Sequence, residues 1–262
     1  MTETAAAMRV TCLGSGSSGG VPLINGEWGA CDPSNPKNRR RRASVLVEEE
    51  GRRLLIDTSP DLRNQMLDAG VERLDAVLIT HDHADHTHGL DDLRAFAFRQ
   101  GPIPSYMNAK TAESLRSRFG YAFASKNGDQ GLYRAMIDDR EITLEPFEAA
   151  GFTVRPFLQD HGYGQTTLGF RIGDFAYSTD VVALDEAAFS LLEGTRVWFV
   201  DCLQEKPHPT HSHREQTFEW IERVKPEQAV LMHMNHSMDY DALNARCPDG
   251  VEPGYDGLSI DL

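Results

Sequence analysis

The chain has 262 residues, 40% hydrophobic and 25% charged, enough to bury a sizeable core without disulfides or a structural metal, and it is not a disordered polymer. Its formal net charge of −14 argues against a broad phosphate-backbone or anionic-membrane surface, because each needs clustered excess Lys and Arg. Cys12, Cys31, Cys202 and Cys247 are far apart and form no CxxC, so a reducing, cytoplasmic setting is expected rather than a secreted disulfide scaffold.

Along the chain, residues 1–7 show no basic or apolar region of a signal peptide and read as a frayed tail, and residues 8–262 as a single domain. Arg9 to Leu13 is β-like and enters a Gly/Ser turn, Gly14 to Gly20, which permits close backbone approach but lacks the Lys-Ser/Thr of a P-loop. The basic run Lys37 to Arg42 has two readings: a solvated turn, or a contact to substrate phosphate or to the chain's own carboxylates. Ala43 to Glu48 and Arg52 to Asp57 read as strands around a Glu-Glu-Gly turn, and Asp61 to Ala69 as a helix stopped by Gly70. Leu74 to Thr80 is a strongly apolar strand, followed by a helix from Gly89 to Arg99, helical patterning from Ala112 to Phe119 and a polar stretch from Ser125 to Gly131. Further strands are expected at Phe152 to Phe157, Thr167 to Ile172, Phe175 to Ser178, Val197 to Val200 and Ala229 to Met232, with helices at Leu184 to Leu192 and Glu215 to Val224. No apolar run approaches the roughly 18 residues of a membrane span, so no membrane partner is expected. The pattern predicts an α/β domain with two sheets and flanking helices.

The chemistry is concentrated in the histidines. Of ten, four fall in His81, His83, His86 and His88, and five between His208 and His236. The tightest group is H-x-H-x-D-H at the end of the apolar strand. Residues i and i+2 of an extended backbone face one side, so His81 and His83 can grip one metal; Asp85 and His86 then turn toward a second. Imidazole and carboxylate suit zinc, manganese or iron in the +2 state. Four residues cannot close two sites, and the remaining candidates sit where strands end: His161, Asp180 and His233. Asp57, ending a strand opposite the metal strand, could orient the ligand loop by accepting backbone N–H bonds. His88 reads as a residue capping or bonding near a helix start, and His208 as structural or exposed.

At these residues the sequence resembles the metallo-β-lactamase superfamily of binuclear hydrolases: H-x-H-x-D-H at 81–86, then His161, Ser-Thr-Asp180 and His233, in order. The resemblance implies a four-layered αβ/βα sandwich with two divalent ions, Zn2+ or Mn2+, at one edge. His81, His83 and His161 would hold one ion, Asp85, His86 and His233 the other, with Asp180 bridging. Leu13 to Pro22, Trp28 to Cys31, Asp201-Cys202, Pro209 to Ser212 and His233 to His236 look like the phosphodiesterase branch, near the phosphoribosyl cyclic phosphate phosphodiesterases and related to ribonuclease Z. The implied activity is hydrolysis of a small cyclic or nucleotide-like phosphodiester by a hydroxide between the two ions. By the same resemblance His211, with His213 as runner-up, protonates the leaving group, and Asp201 orients it.

Two competing readings are a ribonuclease Z-like tRNA 3′-processing nuclease and a glyoxalase II-like thioesterase. Residues 101–140 hold six Lys/Arg against four Asp/Glu, which is no tRNA-gripping arm, so nucleic acid is not the expected partner; a small phosphoester is, and a homodimer stays open. The branch's structural zinc needs more cysteines than this chain offers. Only Cys31 and His236 match, so the expectation is no third metal, a free Cys31, and His236 bonded near the Gly-rich turn or the metal site.

Overall fold

A computed structural model describes residues 7–123 and 134–262. Residues 1–6 of the expected tail, and the polar stretch from Ser125 to Gly131, lie outside the described residues.

The first sheet contains β1 (Arg9–Gly14), β2 (Ser44–Glu49), β3 (Arg52–Ile56), β4 (Ala76–Leu78), β5 (Ile103–Met107) and β6 (Ile137–Glu141). The second contains β7 (Phe147–Ala149), β8 (Phe152–Asp160), β9 (Thr166–Ile172), β10 (Phe175–Ser178), β11 (Val197–Asp201), β12 (Gln228–Met232) and β13 (Val251–Pro253). The last strand, β14 (Ser259–Asp261), returns to the first sheet beside β1. The orders are β14-β1-β2-β3-β4-β5-β6 and β13-β12-β11-β10-β9-β8-β7. In both sheets three antiparallel pairings give way to three parallel ones: β3, β4, β5 and β6 run parallel in the first, and β10 to β13 in the second.

Alternating apolar side chains explain the layers. Val45 and Val47 of β2 and Val197 and Phe199 of β11 join one buried cluster between the sheets. Leu46 and Leu55 face outward and pack on α1 (Leu62–Asp68), with Leu93 and Ala97 around α3 and Leu115 of α4 in the same cluster. Here α2 is Ala84–Thr87, α3 is Arg94–Gln100 and α4 is Ala109–Phe119. Trp198 and Val200 face the other way, onto α5 (Glu186–Leu192), α6 (Arg214–Val224) and α7 (Tyr240–Asn244). The result is the expected four layers, helix, sheet, sheet, helix. Caps fix the helix starts: Asn108 accepts from Thr111 N at 2.8 Å, Asp185 from Ala188 N at 2.8 Å and Asp239 from Ala242 N at 3.0 Å.

Several expectations are corrected. The helix from Gly89 to Arg99 splits into a 3-10 turn at Leu90–Leu93 and then α3. Leu74 to Thr80 pairs only over Ala76–Leu78, because the chain leaves the sheet to deliver the ligand loop. β5 and β6 are not among the expected strands: Pro104 sits inside β5, and β6, Ile-Asp-Asp-Arg-Glu, is a charged edge strand without an apolar run. The basic run is not a solvated turn. Arg40 is buried, donating to Met238 O at 2.6 Å and to Asn235 O and Asn38 Oδ1 at 3.3 Å. Arg41 and Arg42 pair with Asp68 and Asp61, and Lys37 stands over the Tyr240 and Tyr255 rings. No described helix is long and apolar enough to cross a membrane.

Candidate metal centre

The ligand loop begins where β4 stops. Asp57, just after β3, accepts Thr80 N and Thr80 Oγ1, each at 2.8 Å, and His86 Nδ1 at 2.7 Å. That one buried carboxylate bonds both ends of the loop, accepting a backbone N–H at one and a histidine at the other. His81 and His83 leave on extended backbone, and His83 precedes the short helix α2, whose first turn carries Asp85 and His86.

Each remaining residue is delivered from a strand end in the second sheet. His161 follows β8, Asp180 follows β10, and His233 follows β12. Asp57, Asp180 and His233 all have left-handed backbone, with φ of 64°, 55° and 58°. Non-glycine residues rarely adopt it, and at each strand end it turns the chain sharply to bring a side chain onto the rim.

The groups converge. Ligating atoms of His81, His83, His161 and Asp180 lie within 4.8 Å of one another, and so do those of Asp85, His86, Asp180 and His233. Asp180 belongs to both sets: its Oδ1 stands 3.8 Å from His81 Nε2 and 3.9 Å from His161 Nε2, its Oδ2 3.1 Å from His86 Nε2 and 3.4 Å from His233 Nε2. Asp85 Oδ2 lies 3.3 Å from both His86 Nε2 and His233 Nε2.

The donor set fits divalent metals. Three histidines have Nδ1 held from behind: His81 beside Thr80 Oγ1 at 3.0 Å, His86 on Asp57 at 2.7 Å, and His161 donating to Thr210 O at 2.8 Å. The Nε2 atoms of His81 and His86 are buried and have no hydrogen-bond partner. Outer partners that fix the tautomer and leave Nε2 free to converge are the hallmark of metal-ligating imidazoles. Burial pushes the His81 and His161 pKa values down, keeping the neutral, ligating form. Burial opposes the charge on Asp180 and Asp85, but His233 and His86 on the first, and His86 and His233 on the second, hold both well below the usual carboxylate range.

His211 is buried at the same rim, Nε2 3.8 Å from Asp180 Oδ1 and Nδ1 3.3 Å from Asp201 Oδ2. Burial works against its charged form, yet the facing Asp201 carboxylate outweighs it and raises the pKa to about 9. Asp201 is itself fixed by Ser212 N at 3.0 Å. His213 lies instead at the start of α6, outside both ligand groups. His88 caps the end rather than the start of a helix, its N–H on Ala84 O at 2.9 Å, and its ring meets Phe119. His208 accepts from Thr210 N at 3.3 Å. His236 is half-buried, its carbonyl accepting from Ala30 N at 2.9 Å and Cys31 Sγ at 3.5 Å, with its Nε2 4.0 Å from Glu27. Cys31 is a buried free thiol.

A cavity of about 160 Å³ opens over the cluster, lined also by Ser18, Gln165 and Thr210. Sequence reasoning met Ser18 and Thr210 only inside longer segments, without a role of their own, and missed Gln165. Gln165 reaches His83 Nε2 at 3.2 Å, and Ser18 comes from the Gly/Ser turn, whose glycines allow the approach: a Cβ on Gly16 would fall 2.9 Å from Arg41 O. Their signal was weak, a lone hydroxyl or amide in a loop.

Comparison with known proteins agrees with this geometry. Residues 52–234 match the beta-lactamase superfamily domain. A crystal structure of a diphosphatase from the PhnP family superposes with a TM-score of 0.90 at 34% identity, over 98% of this chain and 97% of that one. Zn(2+)-bound PqqB from Methylobacterium extorquens shares the fold, with a TM-score of 0.76 at 21% identity over 97% of this chain and all of that one. An octanoyltransferase from Porphyromonas gingivalis is 35% identical over 254 residues, 96% of this chain but 51% of its own length. The chain thus spans about half of that relative.

Proposed function

The chain belongs to the beta-lactamase superfamily, and we propose that it is a binuclear metal-dependent hydrolase whose substrate is a small cyclic or nucleotide-like phosphodiester. The observation that carries this reading is Asp180 shared between two ligand groups, with His211 beside it and backed by Asp201. His81, His83, His161 and Asp180 would hold one divalent ion, and Asp85, His86, His233 and Asp180 the other. The N/O donor set favours zinc over manganese, and the zinc-bound PqqB relative supports it. When bound, two such ions supply Lewis acidity toward phosphoryl oxygens and a nucleophilic oxygen at neutral pH.

The chain's own groups do the rest. Thr80, Asp57 and the Thr210 carbonyl keep the His81, His86 and His161 imidazoles in the ligating tautomer. Ser18 and Gln165 line the cavity as polar contacts for phosphoryl oxygens. His211, whose charged form the facing Asp201 carboxylate favours, is placed to give a proton to the departing alkoxide. A net charge of −14 disfavours a tRNA substrate.

A second reading, cleavage of a diphosphate linkage, is favoured by the likeness to the diphosphatase. A panel on zinc- and manganese-loaded protein decides: cyclic ribose phosphates, 2′,3′-cyclic nucleotides, bis-(p-nitrophenyl) phosphate, a nucleoside diphosphate ester, lactoylglutathione and octanoyl thioesters, and precursor tRNA. Turnover of the cyclic esters supports the proposal; turnover of a thioester or of the tRNA alone overturns it.

A further inference from the structure

The cavity over the cluster, about 160 Å³, is well below the roughly 300–1,000 Å³ of pockets that enclose a whole ligand. Among the described residues it has room for a phosphoryl group and little more. The organic part of a bound phosphoester would then lie outside it, where neighbouring residues can select among esters.

One residue of the hairpin tip that brings His161 and Gln165 to the cavity stands out. Tyr163 is 82% exposed, although large aromatic side chains usually bury their rings. It sits between His161 and the cavity-lining Gln165, at the tip of the hairpin joining β8 to β9. Gln165 N bonds Gly162 O at 2.9 Å, and His161 N bonds Gln165 O at 2.9 Å, so the turn is tight. Tyr163 and Gly164 both have positive φ, 50° and 73°, the geometry of a type I′ turn. Such turns favour Asn-Gly at the centre, and a bulky residue at the first central position is disfavoured. Its exposure means that packing in the free protein does not repay that conformation.

The turn is also pinned to one side of the site. A Cβ on Gly162 would fall 2.2 Å from Pro209 O, and His161 Nδ1 bonds Thr210 O at 2.8 Å. The hairpin tip that carries Tyr163 is thereby held against the Pro209–Thr210 backbone, next to His211 in the chain.

We propose that Tyr163 is a specificity-determining residue whose ring stacks on a planar, heteroaromatic part of the substrate, as in a nucleoside phosphoester. This rests on the phosphodiesterase reading and narrows it to esters bearing a base. Stacking of one base on an aromatic side chain corresponds to roughly a tenfold change in binding, within a wide range.

The test compares wild type, Tyr163→Phe and Tyr163→Asn, the last removing the ring while giving the turn the residue it prefers. KM and kcat are measured on 2′,3′-cyclic AMP and on a ribose cyclic phosphate without a base, and calorimetry follows AMP and ribose 5-phosphate binding to the same proteins. Tyr163→Asn should raise KM for the cyclic nucleotide about tenfold and spare kcat and the base-free ester. Tyr163→Phe should match wild type, and wild type should bind AMP about tenfold tighter than ribose 5-phosphate, a preference lost in Tyr163→Asn. Equal effects on both esters, or an unchanged AMP preference in Tyr163→Asn, overturn the role of Tyr163. If wild type hydrolyses no phosphodiester, the phosphodiesterase reading fails, and the calorimetric ratio alone decides whether Tyr163 contacts a base.

Discussion

Replacing Asp57 by Asn changes one oxygen to an amide nitrogen at a site that is wholly buried, and the consequences can be worked through atom by atom. The Asn oxygen can still accept Thr80 N. Its NH2 then faces Thr80 Oγ1, which can turn and accept, and His86 Nδ1, which now must accept as well. That forces the His86 proton onto Nε2, the atom 3.1 Å from Asp180 Oδ2 and 3.3 Å from Asp85 Oδ2. A protonated Nε2 cannot ligate a metal. Restoring the ligating tautomer sets two donors against each other in the interior, at about 1–3 kcal/mol. The expected loss is therefore about ten- to a hundredfold in affinity for the ion beside His86, the range usual for partners of metal-ligating histidines. The ion held by His81, His83 and His161 should be less affected, because the Thr80 Oγ1 that accepts from the amide keeps a second lone pair for His81 Nδ1. Competition with a chromophoric chelator reads this directly: Asp57→Asn should surrender one equivalent of zinc early and one as in wild type. Unchanged release of both equivalents would refute the reasoning, because it would mean that the 2.7 Å contact does not set the His86 tautomer.

Metal-replete protein should carry about two divalent ions per chain by elemental analysis, and Asp180→Ala should lower occupancy at both; loss of one ion alone would remove the shared-carboxylate geometry. His211→Ala should keep both ions and lose about 10²–10⁴ in turnover on an ester with a poor leaving group, but far less with p-nitrophenolate, which needs no proton. His213→Ala, placed outside the ligand groups, should stay near wild type on both substrates, and a defect there alone would move the acid to that residue. Arg40→Met should lower unfolding stability by about 2–4 kcal/mol in urea, because it strands the carbonyls of Asn235 and Met238 in the interior; a loss below about 0.5 kcal/mol would show that other groups or water satisfy them.

The sequence made the metal cluster legible because ligand chemistry is confined to few residue types and strand ends are marked by apolar runs. H-x-H-x-D-H, His161, Asp180 and His233 needed only those two signals, and the same strands announced the two-sheet core. The misses share a physical cause. Pro104 and the charges of Ile137–Glu141 hid strands whose place is set by pairing with neighbours rather than by their own propensity. Arg40 looked like part of a solvated cation run, and only the fold shows carbonyls from Asn235 and Met238, almost two hundred residues away, waiting around it. Gln165, Ser18 and Tyr163 owe their interest to position alone.

Why one edge holds the whole centre follows from strand direction. Parallel strands present their C-terminal ends on the same side, and β10, β11 and β12 are parallel neighbours, so Asp180, Asp201 and His233 emerge together. In the first sheet β3 and β4 are parallel too, which places Asp57 beside Thr80 at the start of the ligand loop. Leu168 N donates to Thr80 O at 3.0 Å and ties that loop to the second sheet. What remains is to turn each side chain from its strand axis onto the shared rim within a residue or two, and left-handed backbone at Asp57, Asp180 and His233 does this. An L-residue held at positive φ sits there only when its surroundings over-determine it. Here Asp57 is fixed by Thr80 and His86, and Asp180 is buried among five histidines. The conformational cost at these positions is thus met by the same contacts that align the ligands, so the centre is organised by the protein fold itself.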